Sequence, residues 1–497
     1  MPFHTGGAKT ELQDVKKFGF DVGWVFSSSI ITLLIGFIIR PVLARWLGPD
    51  GLGLYSVIFT IYAIFLIPAN LGLSPAVVKY VAQYKEKREK ISKISSSGLL
   101  ISLVFGAITS VVLYLLSPYV TAFFDMPELS NLIPILCIVF PLAAFFQTQM
   151  GVLNGLRKMK HFAFLIIFQQ ISMAFFIIMF VASGLGVTGA IIGIVFSPIL
   201  PIIFGLYLLN KNKVHWNLSE GIVHSKELTS FGWKLAGANA VNEMNNRLDI
   251  ILIGYFLVAS DVGYYSVALV LAKFFWFIPQ GIQRVTYPAV TEYWHKNNHN
   301  ALNKMIDKVM KYCIVLLVLA GLGVGFFARD IITILFTEKF IYAVLPLQIL
   351  LIGTVIRGMA QPIGASLSAI GRPDLPLKVS TFVIVVNILM DIFLIPRMGI
   401  DGAAIATTIS LILGALISLY LTVKHLSIKV DVGWYLRMLV VVIISIALFK
   451  FGMLFVNPYL LGGIILSGCL IIMLKFFLTK EDKDMFKYLT HSLIPWR

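Results

Sequence analysis

Three cations, Arg247, Lys273 and Arg357, and three acids, Glu243, Asp249 and Asp391, stand inside long apolar stretches of this sequence. A charge kept out of bulk water needs a partner or an aqueous cavity, so these six positions are where chemistry is expected first. Residues 239–249 hold Asn239, Asn242, Glu243, Asn245, Asn246, Arg247 and Asp249. On a helix all of them but Asn245 fall within an arc of about 160°. Glu243 and Arg247 are spaced i,i+4 and can pair. Such a face suits a water-filled cavity that touches substrate; the alternative is a polar seam satisfied between helices. Seven polar residues in eleven favour the cavity. Arg247, Lys273 and Arg357 are suited to the phosphates of an anionic substrate, the arginines in bidentate fashion. Lys273 could instead only balance an acid.

A second constellation is oxygen-rich. Asn387 and Asp391 are spaced i,i+4, and Thr407 follows in the next apolar run. With Asp249 they share one depth below the outer boundary of their runs. Carboxylate, amide and hydroxyl oxygens suit a small hard cation such as sodium, or one carboxylate could carry a proton. The plainer alternative is Asp391 capped by Asn387 and water.

Other patterns carry little. His295 and His299 beside Glu292 have metal-ligand spacing but lie in a hydrophilic loop. Asp482 and Asp484 sit in a charged tail, and the Asn217 sequon lies on the inner side. No nucleophilic triad, phosphate loop or zinc spacing stands out. No cofactor is expected beyond a coupling Na+ or H+.

The elements that must position these residues follow from composition. Of 497 residues, 58% are hydrophobic and 13% charged, against about 45–50% and about 25% in soluble domains. An all-α polytopic membrane protein is expected, with about 14 spans of roughly 20 residues each. The spans fall near 22–42, 53–73, 94–117, 129–151, 162–183 and 187–209, then 231–257, 262–288, 309–328, 344–370, 377–395 and 400–423, then 432–455 and 460–478. The polar first 21 residues do not resemble a cleavable signal, so the first span is expected to direct its own insertion. Cys137, Cys313 and Cys469 lie far apart in apolar runs and read as buried hydrophobes.

The formal charge of +16 is a matter of placement. With both termini inside, 31 Lys and Arg fall in inner segments, 6 in outer ones (Arg40 and Arg45 among them) and 3 in mid-span. The net charges are then +17 inside, −1 outside and 0 within. This is the positive-inside bias of a membrane protein facing anionic headgroups, and no nucleic-acid partner is expected.

Three short matches recur in order. Gly53-Leu-Tyr-Ser-Val57 returns as Gly263-Tyr-Tyr-Ser-Val267, Gly155-Leu-Arg157 as Ile370-Gly-Arg372, and Gly186-Val-Thr-Gly-Ala190 as Gly399-Ile-Asp-Gly-Ala403. The offsets of 210, 215 and 213 predict two six-helix lobes in parallel pseudo-twofold relation. The expected organisation is a lobe over 1–209, a cytoplasmic connector over 210–230, a lobe over 231–424, and two extra helices with a tail over 425–497.

These landmarks resemble the polysaccharide-type lipid-linked oligosaccharide flippases of the multidrug/oligosaccharidyl-lipid/polysaccharide exporter superfamily. The resemblance rests on Leu43-Ala-Arg-Trp-Leu-Gly-Pro-Asp50 with Gly53-Leu-Tyr55, on Gly371-Arg-Pro373, and on Asn387 to Asp391 through Ile395 to Ala404. It implies a V-shaped pair of lobes that alternates access, carrying a glycan–(pyro)phosphate–polyprenol from inner to outer leaflet. It also implies a sodium site at Asp249, Asn387, Asp391 and Thr407, by likeness to the peptidoglycan-precursor branch. The cavity cations would be Arg247, Lys273 and Arg357, since spans 1 to 3 show none in mid-span.

The expected function is therefore a flippase, not an enzyme, in the plasma or inner membrane, working in cell-surface polysaccharide biosynthesis beside possible polysaccharide-assembly proteins. Its rivals are an organic-cation antiporter of the same superfamily and a membrane glycan polymerase or ligase. The latter class is expected to carry a large outer loop.

Overall fold

The computed structural model describes residues 6–84, 87–214, 224–364, 366–428 and 430–477; the side chains of 6–19, 22, 238, 239, 242, 476 and 477 lie outside the description. Asp482, Asp484 and Asn217 are outside the described residues. Every regular element that is described is helical.

The chain divides into two compact units, 1–266 and 267–497. The first holds α1 (Gly6–Asn70), α2 (Leu73–Gln83), α3 (Arg88–Phe124), α4 (Leu129–Cys137), α5 (Val139–Gly155), α6 (Met159–Phe180), α7 (Gly186–Phe196), α8 (Ile199–Lys211), α9 (Ser225–Phe256) and the start of α10 (Ala259–Phe274). The second holds the rest of α10, then α11 (Phe277–His295), α12 (His299–Phe326), α13 (Ala328–Phe336), α14 (Val344–Gly364), α15 (Ser366–Ala369), α16 (Asp374–Leu426), α17 (Val432–Gly452) and α18 (Pro458–Ile472). The repeats put the seventh span at the head of the second half, whereas its helix, α9, packs within the first unit against α1 and α2.

Nine helical runs among the described residues are long and apolar enough to cross a bilayer, or ten if the bent pair α4 and α5 forms one span. Three of them, Gly23–Asn70, Met159–Lys211 and Asp374–Leu426, have 48, 53 and 53 residues, against about 20 for one crossing. Each breaks at glycine with positive φ: Gly48, Gly184 with Gly186, and Gly399. The first break corrects an expectation. Arg40 and Pro41 read as the end of span 1, but the helix runs through Pro41 and is interrupted only at Gly48 (φ 68°). A bilayer helix tolerates proline when neighbouring groups satisfy the freed carbonyl. Arg40 therefore lies on the helix, two turns before its break.

Lipid is the remaining solvent. In α17 the apolar window has a mean hydropathy of 2.2, yet only 17% of it is buried within the protein. Exposed Leu439, Ile443 and Phe451 would be unstable in water, and the molecule is a multi-pass membrane protein. The two last helices join the second unit through a core of Val318, Leu322, Trp434, Met438, Ile465 and Cys469. Phe326 stacks on Phe449 there, with centroids 4.1 Å apart. Asp431 caps α17 by accepting from Trp434 N at 3.0 Å. All three cysteines are free and buried. After the tenth expected span, Asp374 takes both Arg372 Nε and Nη2, at 3.1 and 3.3 Å, and holds that guanidinium above its ordinary range.

The repeat glycines have a packing role. A Cβ on Gly53 would sit 1.7 Å from the Ala259 carbonyl oxygen, and one on Gly263 would sit 2.2 Å from that of Pro49. The two equivalent positions of the first repeat match thus face each other, backbone against backbone. No described atom lies within 4 Å of a Cβ on Gly36. Gly53→Ala is expected to destabilise the protein by about 1–3 kcal/mol through overpacking. Gly36→Ala should leave the unfolding temperature in detergent unchanged or slightly raised. A drop for Gly36→Ala equal to that of Gly53→Ala would contradict this account.

Candidate functional site

The charged residues gather in three places, two of them in the second unit. In the first unit α9 is one continuous helix of 32 residues despite its polar content. Arg247 Nε donates to Glu243 Oε1 at 2.8 Å, and the two side chains are 23% and 32% exposed. The guanidinium lies over Phe59, 5.2 Å from its centroid. Arg40 on α1 lies within electrostatic range of Arg247. Arg247 thus has an acid, an aromatic face and a second arginine around it. Asn246 is exposed on the same helix; the side chains of Asn239 and Asn242 lie outside the described residues. Asp249, half-buried two residues beyond Arg247, accepts from Tyr265 Oη at 2.7 Å.

In the second unit Lys273, at the end of α10, and Arg357, on α14, converge on one indole. Lys273 Nζ is 5.7 Å and Arg357 Cζ 4.8 Å from the ring centroid of Trp276. Cation–π contact at this range holds both charges against an aromatic surface. Among the described residues, the buried donors Trp276 Nε1 and Arg357 Nε have no hydrogen-bond partner. Gln361 Oε1, one turn further along α14, is likewise buried without a donor. Buried donors left unmet cost about 1–3 kcal/mol each, so the cluster is poised for an acceptor. A phosphate oxygen, which accepts only, fits both N–H groups and the guanidinium charge of Arg357.

The oxygen-rich group stands on α16. Asn387 Nδ2 donates to Asp391 Oδ2 in the expected i,i+4 pair. Asp391 is fully buried (0% exposed), Asn387 is 8% and Thr407 9% exposed. Asp391 lies eight residues before the Gly399 break and Thr407 eight after it. A buried carboxylate is tolerated only with donors, a proton or a cation about it. The hard oxygen donors fit a small alkali cation or a proton, and the amide already orients the carboxylate.

The discarded loop candidates have ordinary partners. Glu292 accepts from Lys296 Nζ at 2.6 Å, and the His299 ring packs edge-on against Trp294. Among the described residues no group of three or more His, Cys, Asp and Glu side chains converges.

Sequence reasoning missed Trp276 and Arg40. Trp276 is three residues beyond Lys273, one helical turn, which is the signal that pairs them. Its meeting with Arg357 depends on helix packing and leaves no local trace.

Comparison with known proteins agrees with this architecture. The model of the family described as polysaccharide biosynthesis protein matches residues 18–294, more than half of the chain. The MatE model matches residues 235–393. The probable low-salt glycan biosynthesis flippase Agl15 of Haloferax volcanii is 23% identical over 395 residues, covering 79% of this chain and 81% of its own. A putative O-antigen transporter of Shigella flexneri is 22% identical over 415 residues, covering 82% and 97%. Among solved structures, the lipid II flippase MurJ in an inward closed conformation matches with a TM-score of 0.71 at 17% identity, over 92% of this chain and all of that one. That likeness is one of fold. By its family match, the chain belongs to the polysaccharide biosynthesis protein family.

Proposed function

We propose that this protein is a flippase that carries a polyprenyl-(pyro)phosphate-linked oligosaccharide from the inner to the outer leaflet by alternating access. The observation that carries the reading is the Lys273–Trp276–Arg357 cluster, two cations on one indole with two buried N–H donors unmet. The relatives named as a glycan flippase and an O-antigen transporter support the same class. No covalent bond is made or broken; the protein supplies a path for a charged headgroup that the bilayer otherwise rejects. Fourteen crossings, with both termini cytoplasmic and residence in the plasma or inner membrane, complete the proposal. Asp391, Asn387 and Thr407 form its coupling site for Na+ or H+, and Asp249 is a separate candidate carboxylate of the first unit. Arg247, with Glu243 and the amides of α9, is the headgroup contact of the first unit.

The MatE match over 235–393 favours a second reading, an organic-cation antiporter. Lys273 and Arg357 on one indole oppose it, since they repel a cationic substrate. Reconstituted protein should accelerate flipping of a fluorescent polyprenyl-pyrophosphate glycan and leave an organic-cation dye untouched. Transport of the dye with no effect on the glycan lipid would reverse the assignment.

A further inference from the structure

A cavity of about 320 Å³ lies within the first unit, between the start of α2, the second half of α5 and the first half of α6. That volume is at the lower end of the roughly 300–1,000 Å³ of small-ligand sites. Four carboxamides line it, Gln147, Asn154, Gln169 and Gln170, together with Ser74. None of its ten lining residues is ionisable, although the basic segment 157–160 joins α5 to α6 directly beside it. A phosphate or an organic cation buried there would find no countercharge.

The amides have unfilled capacity. Gln169 Nε2 donates to Ser197 Oγ at 3.1 Å, while its buried Oε1 receives no hydrogen bond among the described residues. Gln170 Oε1 is buried without a donor as well. Gln147 Oε1 is already taken by Asn70 Nδ2, so Gln147 has N–H groups to offer instead. Among the side chains that line the site, those on α6 thus have spare acceptors and Gln147 on α5 has spare donors. A neutral group with adjacent hydroxyls, donor and acceptor at once, meets both needs. Phe146 and Phe162 supply apolar walls for the C–H face of a ring. The walls are held close: a Cβ on Gly151 would lie 2.6 Å from the Ser74 carbonyl oxygen.

We propose that this amide-lined cavity binds the hydroxyls of a sugar residue of the transported glycan, a subsite separate from the phosphate cluster. The proposal rests on the flippase reading above. Its test uses photo-crosslinking p-benzoylphenylalanine in the full chain, placed at Ile166 in the cavity or at Gln361 near Arg357, in membranes of glycan-producing cells. The probes are the sugar-labelled lipid-linked glycan pool and, separately, labelled polyprenyl pyrophosphate without sugar. Both sites should label with the glycan lipid, and only position 361 with the sugarless lipid. Combined Gln169→Leu and Gln170→Leu should cut labelling at 166 at least tenfold and leave that at 361 intact. Excess free glycan should compete at 166 only. Labelling at 361 without labelling at 166 overturns the subsite and spares the flippase reading. Labelling of 166 by the sugarless lipid, or equal loss at both positions in the double variant, also overturns it. No labelling at either position removes both proposals.

Discussion

Arg357→Ala is expected to slow flipping of a polyprenyl-pyrophosphate glycan by about ten- to a hundredfold while the protein unfolds no earlier in detergent. The kinetic part follows from hydrogen bonds to charged groups, about 1.5–3 kcal/mol each, with 1.36 kcal/mol per factor of ten. The stability part follows from burial. Among the described residues Arg357 Nε has no acceptor, and the side chain rests on Trp276, so without substrate the burial of its charge is not repaid by a full set of hydrogen bonds. Removing an uncompensated buried charge relieves strain on the fold. Arg357→Lys keeps the charge but loses the planar fork, and should fall between wild type and alanine. Trp276→Phe keeps the aromatic face and deletes one unmet N–H, so it should weaken flipping less than Arg357→Ala. Rates in proteoliposomes and melting curves of the same preparations check both halves. A melting temperature that falls in step with flipping would make Arg357 a structural residue and remove it from the substrate path.

What could be read in the sequence is what local spacing or bulk composition encodes. The apolar runs, the Glu243–Arg247 pair and the Asn387–Asp391 pair are i,i+4 or window properties; the fold contains both pairs, and nine or ten apolar crossings among the described residues, with the polar α9 not one of them. The glycine matches were legible as repeats, but their contact was not, because Gly53 and Gly263 are brought together by packing alone. The first helix end was expected too early because charge followed by proline marks a helix end in water more often than in a bilayer, and here the helix continues to Gly48. The amide cavity stayed hidden for another reason. Gln147, Asn154, Gln169 and Gln170 carry no charge, and a search weighted by the cost of burying charge passes over them. Charge picks out where a phosphate can be held, whereas neutral amides on two helices become a site only when those helices meet.

Asp391→Asn is expected to abolish the response of flipping to an ion gradient or membrane potential while sparing the rate seen without one. The substitution keeps shape and hydrogen-bonding capacity but deletes the charge that would hold a cation or proton. At wild type, one elementary charge crossing 100 mV gains about 2.3 kcal/mol, which allows a bias of up to about fiftyfold in net flipping. That bias should vanish in the variant. Asp391 is fully buried and already bonded by Asn387 Nδ2, so asparagine fits the space and the fold should persist. Asn387→Ala should weaken coupling less, because the carboxylate remains but loses its orienting amide. Imposing a sodium gradient at fixed pH, then a pH gradient without sodium, identifies the ion by which gradient wild type follows. If Asp391→Asn follows either gradient as wild type does, the coupling site lies elsewhere, and the burial of Asp391 belongs to the packing of α16 alone.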